Sequence, residues 1–482
     1  MNKSHYFFII GVFLLSLFLH FVAIDYPKEA VFDEVHFGKF VSGYLTGQYF
    51  FDIHPPLGKL MIAGMGKVAG FTPGFDFGNI GEQYPNNQYI WLRFLPALFG
   101  SLLIPLIYLL TFRLSRSARA ARLAALFMVL ENALLVQSKF ILIDSFLLFF
   151  GFASIYFFLE SRVFFDEGKW GIWASIVAAI ASGLALSVKW TAVSFLGLIL
   201  AFGFFILVKK ILARRKYKIK RKELFTTAIA YALMIVIPVT IYVALFAVHF
   251  SLLPQKGPGN AYMDQEFQKS QERGFPLQDF FSNFYSLNLE MLRSNQRITA
   301  THSYSSKWYT WPFMLRPIYY WNKDITVGVN QEYEKIYLIG NPFVWWLSTI
   351  AVIYFFLTNV MQGLRFIMMR WMKKRPHKPI HAIQKQAYVF TITFLLTAYA
   401  VNFFPFIFIG RVMFLYHYLT ALIFAIIVAA ITLTSGPKPR KILMSLLVAG
   451  TLFGFFVMLP VTYGTVLHAS WPRYVFWLKS WI

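Results

Sequence analysis

The chain has 482 residues, of which 58% are hydrophobic and 20% aromatic, and its mean hydropathy of +0.57 excludes a soluble domain of ordinary make-up. The formal charge of +24 does not point to nucleic acid, because Lys and Arg fall in short stretches between apolar runs and no groove-reading or single-strand-binding module is visible. There is no cysteine, so disulfides and thiolate metal sites are excluded.

A membrane span needs about 20 apolar residues. On that measure the sequence predicts eleven helices, near residues 7–24, 91–112, 121–137, 140–159, 171–188, 190–208, 224–250, 341–361, 386–408, 412–434 and 441–460. The junctions around Ser138 and Lys189 are short. The first run lacks a small-residue cleavage site and reads as a retained helix. The expected fold is an all-α polytopic membrane protein, one unit over residues 1–482. Loop charge orients it, since Lys and Arg stay preferentially on the cytoplasmic side. With the N-terminus cytoplasmic, the inner loops collect Arg113, Arg116, Arg119 and Arg122, the segment 209–222, the segment from Arg365 to Lys385, and Lys438, Arg440 and Lys441. These hold more than half of the 45 Lys and Arg and few of the 21 Asp and Glu. The C-terminal tail is then extracytoplasmic.

Two outer loops are long, residues 25–90 and 251–340. The first opens with the acidic pair Asp33 and Glu34 in FDEVHFGKF, continues through FDIHPPLGK, and ends in LGKLMIAGMGKVAGF, which suits a helix lying in the interface. Further charges stand where spans meet the same face: Arg93, Lys139, Asp144, Lys189, Arg411 and His417. Each cation alone reads equally as a snorkelling side chain. Together with the acidic pair they predict an outward-facing cavity that receives an anion, because a charge near the bilayer is costly unless paired or hydrated. A lipid phosphate meets that description. Its departure needs only cations to hold the developing charge, whereas an alcohol acceptor needs one carboxylate to take its proton. His36 and His54 lie near Asp33 and Asp52, but their spacing matches no metal pattern, and no P-loop, GxSxG or GxGxxG stands in a strand-to-helix setting.

The ordered motifs FDEVHFGKF, FDIHPPLGKL, WLRFLPALFGSLLIPLIY, ENALLVQSKFILIDS, SVKWTA, GNAYMDQEFQ, HSYSSKWYTWPFMLRPIYYW, IYLIGNPFVWW and GRVMFLYHYL resemble the protein O-mannosyltransferases, integral-membrane enzymes of GT-C architecture, over almost the whole chain. The resemblance implies inverting transfer of mannose from a polyprenyl phosphate to Ser or Thr of proteins on the extracytoplasmic face, without an obligatory metal. It makes Asp33 the catalytic base, Glu34 an aid to acceptor placement and Arg93 an arginine important for activity. His54, with Pro55 and Pro56, matches a family signature. The donor-binding set is then Arg93, Lys189, Arg411, His54, Lys139 and Asp144, with Lys189 and Arg411 assigned to the phosphate from charge and position. His302, Tyr304 and Trp311 are expected on the acceptor-side loop, where Ser303 stands in place of a family proline. The β-trefoil MIR domain of eukaryotic members has no room between GNAYMDQEFQ and LEMLRSNQR, which points to a prokaryotic member in the cytoplasmic membrane. Oligomeric state stays open. Two alternatives stay open as well: the same fold acting on a lipid or cell-envelope glycan, and a carrier that binds the sugar lipid without chemistry.

Overall fold

The computed structural model describes residues 3–165, 168–217, 220–298, 301–327, 330–371, 382–435, 441–468 and 472–481. The inner-loop charges expected at 372–381, Lys438 and Arg440 lie outside the described residues.

Helix α1 (Lys3–Phe21) leads into the first outer loop, which holds α2 (Glu34–Thr46) and α3 (Leu57–Val68). Then follow α4 (Tyr89–Ser115), α5 (Ala118–Val129), α6 (Asn132–Lys139), α7 (Asp144–Glu160), α8 (Ile172–Leu186), α9 (Val193–Tyr217) and α10 (Arg221–Leu252). The second outer loop contributes α11 (Gln265–Glu272), α12 (Phe280–Arg297), β1 (Ile318–Val327) and β2 (Asn330–Leu338). The chain closes with α13 (Pro342–Trp371), α14 (Ala382–Phe403), α15 (Leu419–Thr434), α16 (Lys441–Tyr463) and β3 (Val466–His468).

Every apolar run singled out in the sequence is helical. Among the described residues eight helices are long and apolar enough to cross a membrane, and α5 with α6, bent by 56° at their junction, reaches that length only as a pair. The two remaining runs, α7 with 17 residues and α8 with 15, fall short of the usual length. The α5–α6 bend was not foreseen. Glu131 sits in the break and accepts from Ala133 N (3.1 Å) and from Asn341 N (3.2 and 3.1 Å), while Asn341 Nδ2 donates to Leu130 O (2.9 Å), so the freed N–H is met locally and the freed carbonyl from a segment far along the chain.

Helix α15 is the centre of the bundle. It carries no charge, and most of its residues are buried, with Ala421, Ala425, Ala429 and Ala430 letting neighbours approach closely. It packs against α5, α13 and α14, while α4, α7, α8 and α10 pack in succession on the other side.

The fold is not wholly helical: β1, β2 and β3 form an antiparallel sheet in that order. The sheet is small, and the fold is mostly helical as expected. The polar residues Asn322, Lys323 and Asp324 interrupt the aromatic run of β1, and only its register against β2 satisfies that backbone. The sheet reaches the first outer loop through Phe32 N, which donates to Tyr320 O (3.1 Å). The second outer loop is clamped on the first at Gly259, whose N donates to Tyr49 O (3.1 Å). A Cβ there would stand 2.4 Å from the Phe50 carbonyl carbon, so only glycine permits the approach. Helices α11 and α12 follow one another across a short turn, in the interval where an MIR domain would stand.

Candidate active site

Asp33 precedes the first residue of α2, and its carboxylate takes no hydrogen bond or ion pair among the described residues. It is half-buried. Burial pushes its pKa up, Lys189 opposes this, and Asp144 and Asp52 add to it, leaving a carboxyl raised to about 7.

Glu34 is the opposite case. It has no exposure, and its oxygens accept from Arg93 Nε (2.8 Å), Arg93 Nη2 (2.8 Å), Val31 N (2.9 Å), Tyr84 Oη (3.0 Å) and Ile141 N (2.9 Å). Arg93, also without exposure, spends its remaining N–H groups on the carbonyls of Ile24, Pro27 and Glu29. Its guanidinium stands 4.8 Å from the Tyr89 ring centroid and 5.0 Å from that of Phe140. Every charge of this pair is neutralised and every donor used. The expected roles of Glu34 in acceptor placement and Arg93 in donor binding therefore find no exposed group here; the pair holds the loop in place.

A cavity of about 1290 Å³ lies between α7, α9, the end of α12 and the segment 405–420. Its charged wall is made by Lys189, Asp144 and Arg411, with His54 and His417 beside them; the rest of the lining mixes apolar residues such as Leu147, Leu198 and Phe408 with polar ones such as Asn295, Gln296 and Asn402. Asp33 is not among the lining residues but lies within electrostatic reach of Lys189 and Asp144. Lys189 Nζ donates to Asp144 Oδ1 (2.8 Å) and stands 5.2 Å from the Tyr416 ring. Asp144 Oδ2 accepts from Gln137 Nε2 (2.8 Å), and Gln137 Oε1 accepts from the Tyr320 hydroxyl. Arg411 makes no hydrogen bond or ion pair among the described residues, so its guanidinium is free to bind an anion in the cavity.

His54 reaches the same wall from the Pro55–Pro56 turn. Its Nδ1 is 3.3 Å from Asp52 Oδ1, and Asp52 is also paired with the buried Lys59, which donates to His54 O (2.7 Å). Burial acts to raise the Asp52 pKa, but Lys59 and His54 outweigh it and hold the carboxylate well below the usual range. Asp52 and Lys59 fix the histidine. Among the described residues no group of three or more His, Asp or Glu stands together as a metal site.

Two expected site residues are elsewhere. Lys139 is buried away from the cavity, its Nζ donating to Val22 O (2.7 Å) and lying 3.8 Å from the Tyr463 ring centroid. Trp311 is fully buried, stacked on His417 and donating to Ser306 Oγ (2.9 Å), so it supports the cavity wall from behind instead of meeting an acceptor. His302 is exposed, with its ring 5.1 Å from Phe414, and Tyr304 stacks on Tyr319; both lie on the loop whose Thr301 lines the cavity. Gln137, Tyr320 and Tyr416 were not anticipated. Their only signal was position, beside Lys139 and Asp144 or within GRVMFLYHYL.

A bundle of membrane-crossing helices, two structured outer loops and a cation-walled cavity beside a half-buried carboxylate define a polytopic membrane protein with a candidate anion-binding site. The comparisons narrow that class. Residues 10–254 match the family model "Dolichyl-phosphate-mannose-protein mannosyltransferase", and residues 280–481 match "C-terminal four TMM region of protein-O-mannosyltransferase". The chain belongs to the dolichyl-phosphate-mannose-protein mannosyltransferase family. It is 37% identical over 274 residues to protein O-mannosyltransferase 1 of Drosophila melanogaster, covering 55% of this chain and 30% of that protein. It is 33% identical over 267 residues to dolichyl-phosphate-mannose--protein mannosyltransferase 1 of Saccharomyces cerevisiae, covering 54% and 32%. The match thus spans about a third of the length of these relatives.

In fold, the chain is similar to one from the S. cerevisiae protein O-mannosyltransferase Pmt1–Pmt2 complex bound to the sugar donor, with a TM-score of 0.87 at 20% identity over 100% of this chain and 93% of that one. The archaeal oligosaccharyltransferase AglB of Archaeoglobus fulgidus shares the fold more distantly, with a TM-score of 0.53 at 14% identity over 96% and 56%. The protein is an integral membrane protein. The curated relatives named here are eukaryotic, so the expectation of a prokaryotic cytoplasmic membrane is not borne out.

Proposed function

We propose that the chain transfers mannose from a polyprenyl-phosphate-mannose donor to Ser or Thr hydroxyls of proteins, at a cavity open to the extracytoplasmic side, with residues 1–482 acting as one catalytic unit. The observation that carries this reading is the juxtaposition of Asp33 with a cavity wall bearing Lys189 and Arg411, where neither the Asp33 carboxylate nor the Arg411 guanidinium has a hydrogen-bonding partner among the described residues.

In this reading Arg411 and Lys189 hold the donor phosphate, Arg411 through a planar fork and Lys189 as a point charge already oriented by Asp144. The apolar walls take the lipid chain. Asp33 takes the proton of the acceptor hydroxyl as its oxygen attacks the anomeric carbon. The bond from that carbon to the phosphate oxygen breaks, its electron pair goes to the phosphate, and the cations stabilise the charge. Attack opposite the leaving phosphate inverts the anomeric centre. Polyprenyl phosphate leaves, and Asp33 returns its proton to water. A carboxyl raised to about 7 is well matched to such a base, because the proton-accepting form is present at neutral pH and yet basic. His302 and Tyr304 edge the side from which a polypeptide would approach. No step is routed through a metal.

The test is an assay of purified protein with synthetic polyprenyl-phosphate-mannose and a Ser/Thr-rich peptide, run with and without chelator, for wild type and Asp33→Asn. The expected result is peptide mannosylation by the wild type, unchanged by chelator, and a loss of about 10²–10⁴-fold in the variant, the usual size for a general base. Equal turnover by both proteins would remove Asp33 from the role. Free polyprenyl phosphate appearing only when envelope lipid replaces the peptide would move the acceptor to a lipid.

A further inference from the structure

Tyr320 touches both halves of the site. On one side its carbonyl accepts from Phe32 N (3.1 Å), and its ring stacks on that of Phe32 with centroids 4.1 Å apart and planes 8° from parallel. Phe32 immediately precedes Asp33 and has a φ of +45°, a left-handed conformation that a bulky side chain adopts only when its surroundings impose it. On the other side the Tyr320 hydroxyl reaches Gln137, Gln137 reaches Asp144, and Asp144 holds Lys189.

The direction of that chain is fixed by chemistry. Asp144, paired with an ammonium, has only acceptors to offer, so Gln137 must turn its NH₂ toward it and its Oε1 away. The Tyr320 hydroxyl then must donate to Oε1, and in doing so it prevents the amide from flipping. Tyr320 is fully buried and Gln137 is 2% exposed, so water does not substitute for either bond.

We propose that Tyr320 is a positioning residue that couples the two ends of the reaction: its backbone and ring hold Phe32, and so the Asp33 carboxylate, while its hydroxyl orients the Lys189 ammonium through Gln137 and Asp144. The assignment of Lys189 to the donor phosphate rests on the function proposed above.

Binding of polyprenyl phosphate alone, measured by native mass spectrometry, separates the two arms from each other and from that reading. Tyr320→Phe keeps the stacking and loses only the hydroxyl; it weakens polyprenyl-phosphate binding about 3–10-fold, the effect of one hydrogen bond. Gln137→Met, which cuts the chain one step further on, gives the same loss and serves if Tyr320→Phe does not fold. Phe32→Leu leaves that binding unchanged and lowers kcat of peptide mannosylation. In a Lys189→Ala background Tyr320→Phe has no further effect on binding, because the bond acts through the missing ammonium. Binding by Tyr320→Phe at the wild-type level, or losses from Tyr320→Phe and Lys189→Ala that simply multiply, would overturn the coupling. A wild type that binds polyprenyl phosphate but mannosylates no peptide would sink the transfer reading alone, and the binding cycle would still decide the role of Tyr320.

Discussion

The Glu34 carboxylate accepts five hydrogen bonds at zero exposure, whereas that of Asp33, one residue earlier, accepts none among the described residues and has its pKa raised to about 7. The same contrast separates two cationic regions. Arg93 is enclosed by carbonyls, a carboxylate and aromatic rings, while Arg411 faces a cavity with no protein partner among the described residues. A buried ion pair gains little over an apolar substitute but becomes very costly when one member is removed, and so it serves to hold a loop. An unsatisfied charge at a cavity wall is costly to the fold and useful to a ligand. The sealed region fixes the loop from which the open region works.

The sharpest way to break this comparison is to strand one half of the sealed pair. Arg93→Leu leaves the Glu34 carboxylate buried without its counter-charge, and a loss of about 3–5 kcal/mol of stability is expected. Thermal unfolding of purified protein in detergent measures it, and a midpoint close to wild type would contradict the structural role given to the pair. Arg411→Ala is the complementary change. With no hydrogen bond or ion pair to lose among the described residues, it should leave the unfolding midpoint nearly in place and raise the donor KM about 10–100-fold, the range for a hydrogen bond to a charged group. A lowered midpoint with an unchanged KM would exchange the roles of the two arginines.

The smallest effect is in pH. Folded Asp33 keeps its proton to about 7, while the unfolded carboxyl loses it near 4, so across that window the folded state binds more protons. Stability from this group therefore falls as pH rises from about 4 to about 7 and is constant above. Asp33→Asn should match the wild type at pH 4 and exceed it by about 1–2 kcal/mol at pH 8, an amount reduced from the full shift because the group is half-buried. The wild-type transfer rate should rise with pH through about 7, and residual activity of the variant should lack that limb. A stability difference independent of pH would place Asp33 in an environment like that of Glu34.

The helices were legible because an apolar run of sufficient length has one low-energy answer in a bilayer, and α1, α4, α9 and α15 follow it closely. The break at Glu131 was not legible: besides the local Ala133 N, the buried acidic side chain relies on Asn341 N, some 210 residues away, which donates to it. The sheet was missed for a related reason, since Asn322, Lys323 and Asp324 read as loop until β2 lies beside them. The site was half visible. Asp33, Lys189, Asp144, Arg411 and His54 were noticed as charges in an apolar chain, and the structure brings them to one region. Glu34, Arg93 and Lys139 carried the same local signal of charge in an apolar chain but are buried and bonded within the protein.

Local sequence by itself determined which segments dissolve in lipid and where polar residues collect, because transfer free energy is a property of each side chain and its near neighbours. Only the tertiary structure decided which charges are sealed and which are offered to a ligand. Desolvation and pairing depend on groups far apart in the chain, as with Glu34 and Arg93 at 59 residues' separation or Asp144 and Lys189 at 45.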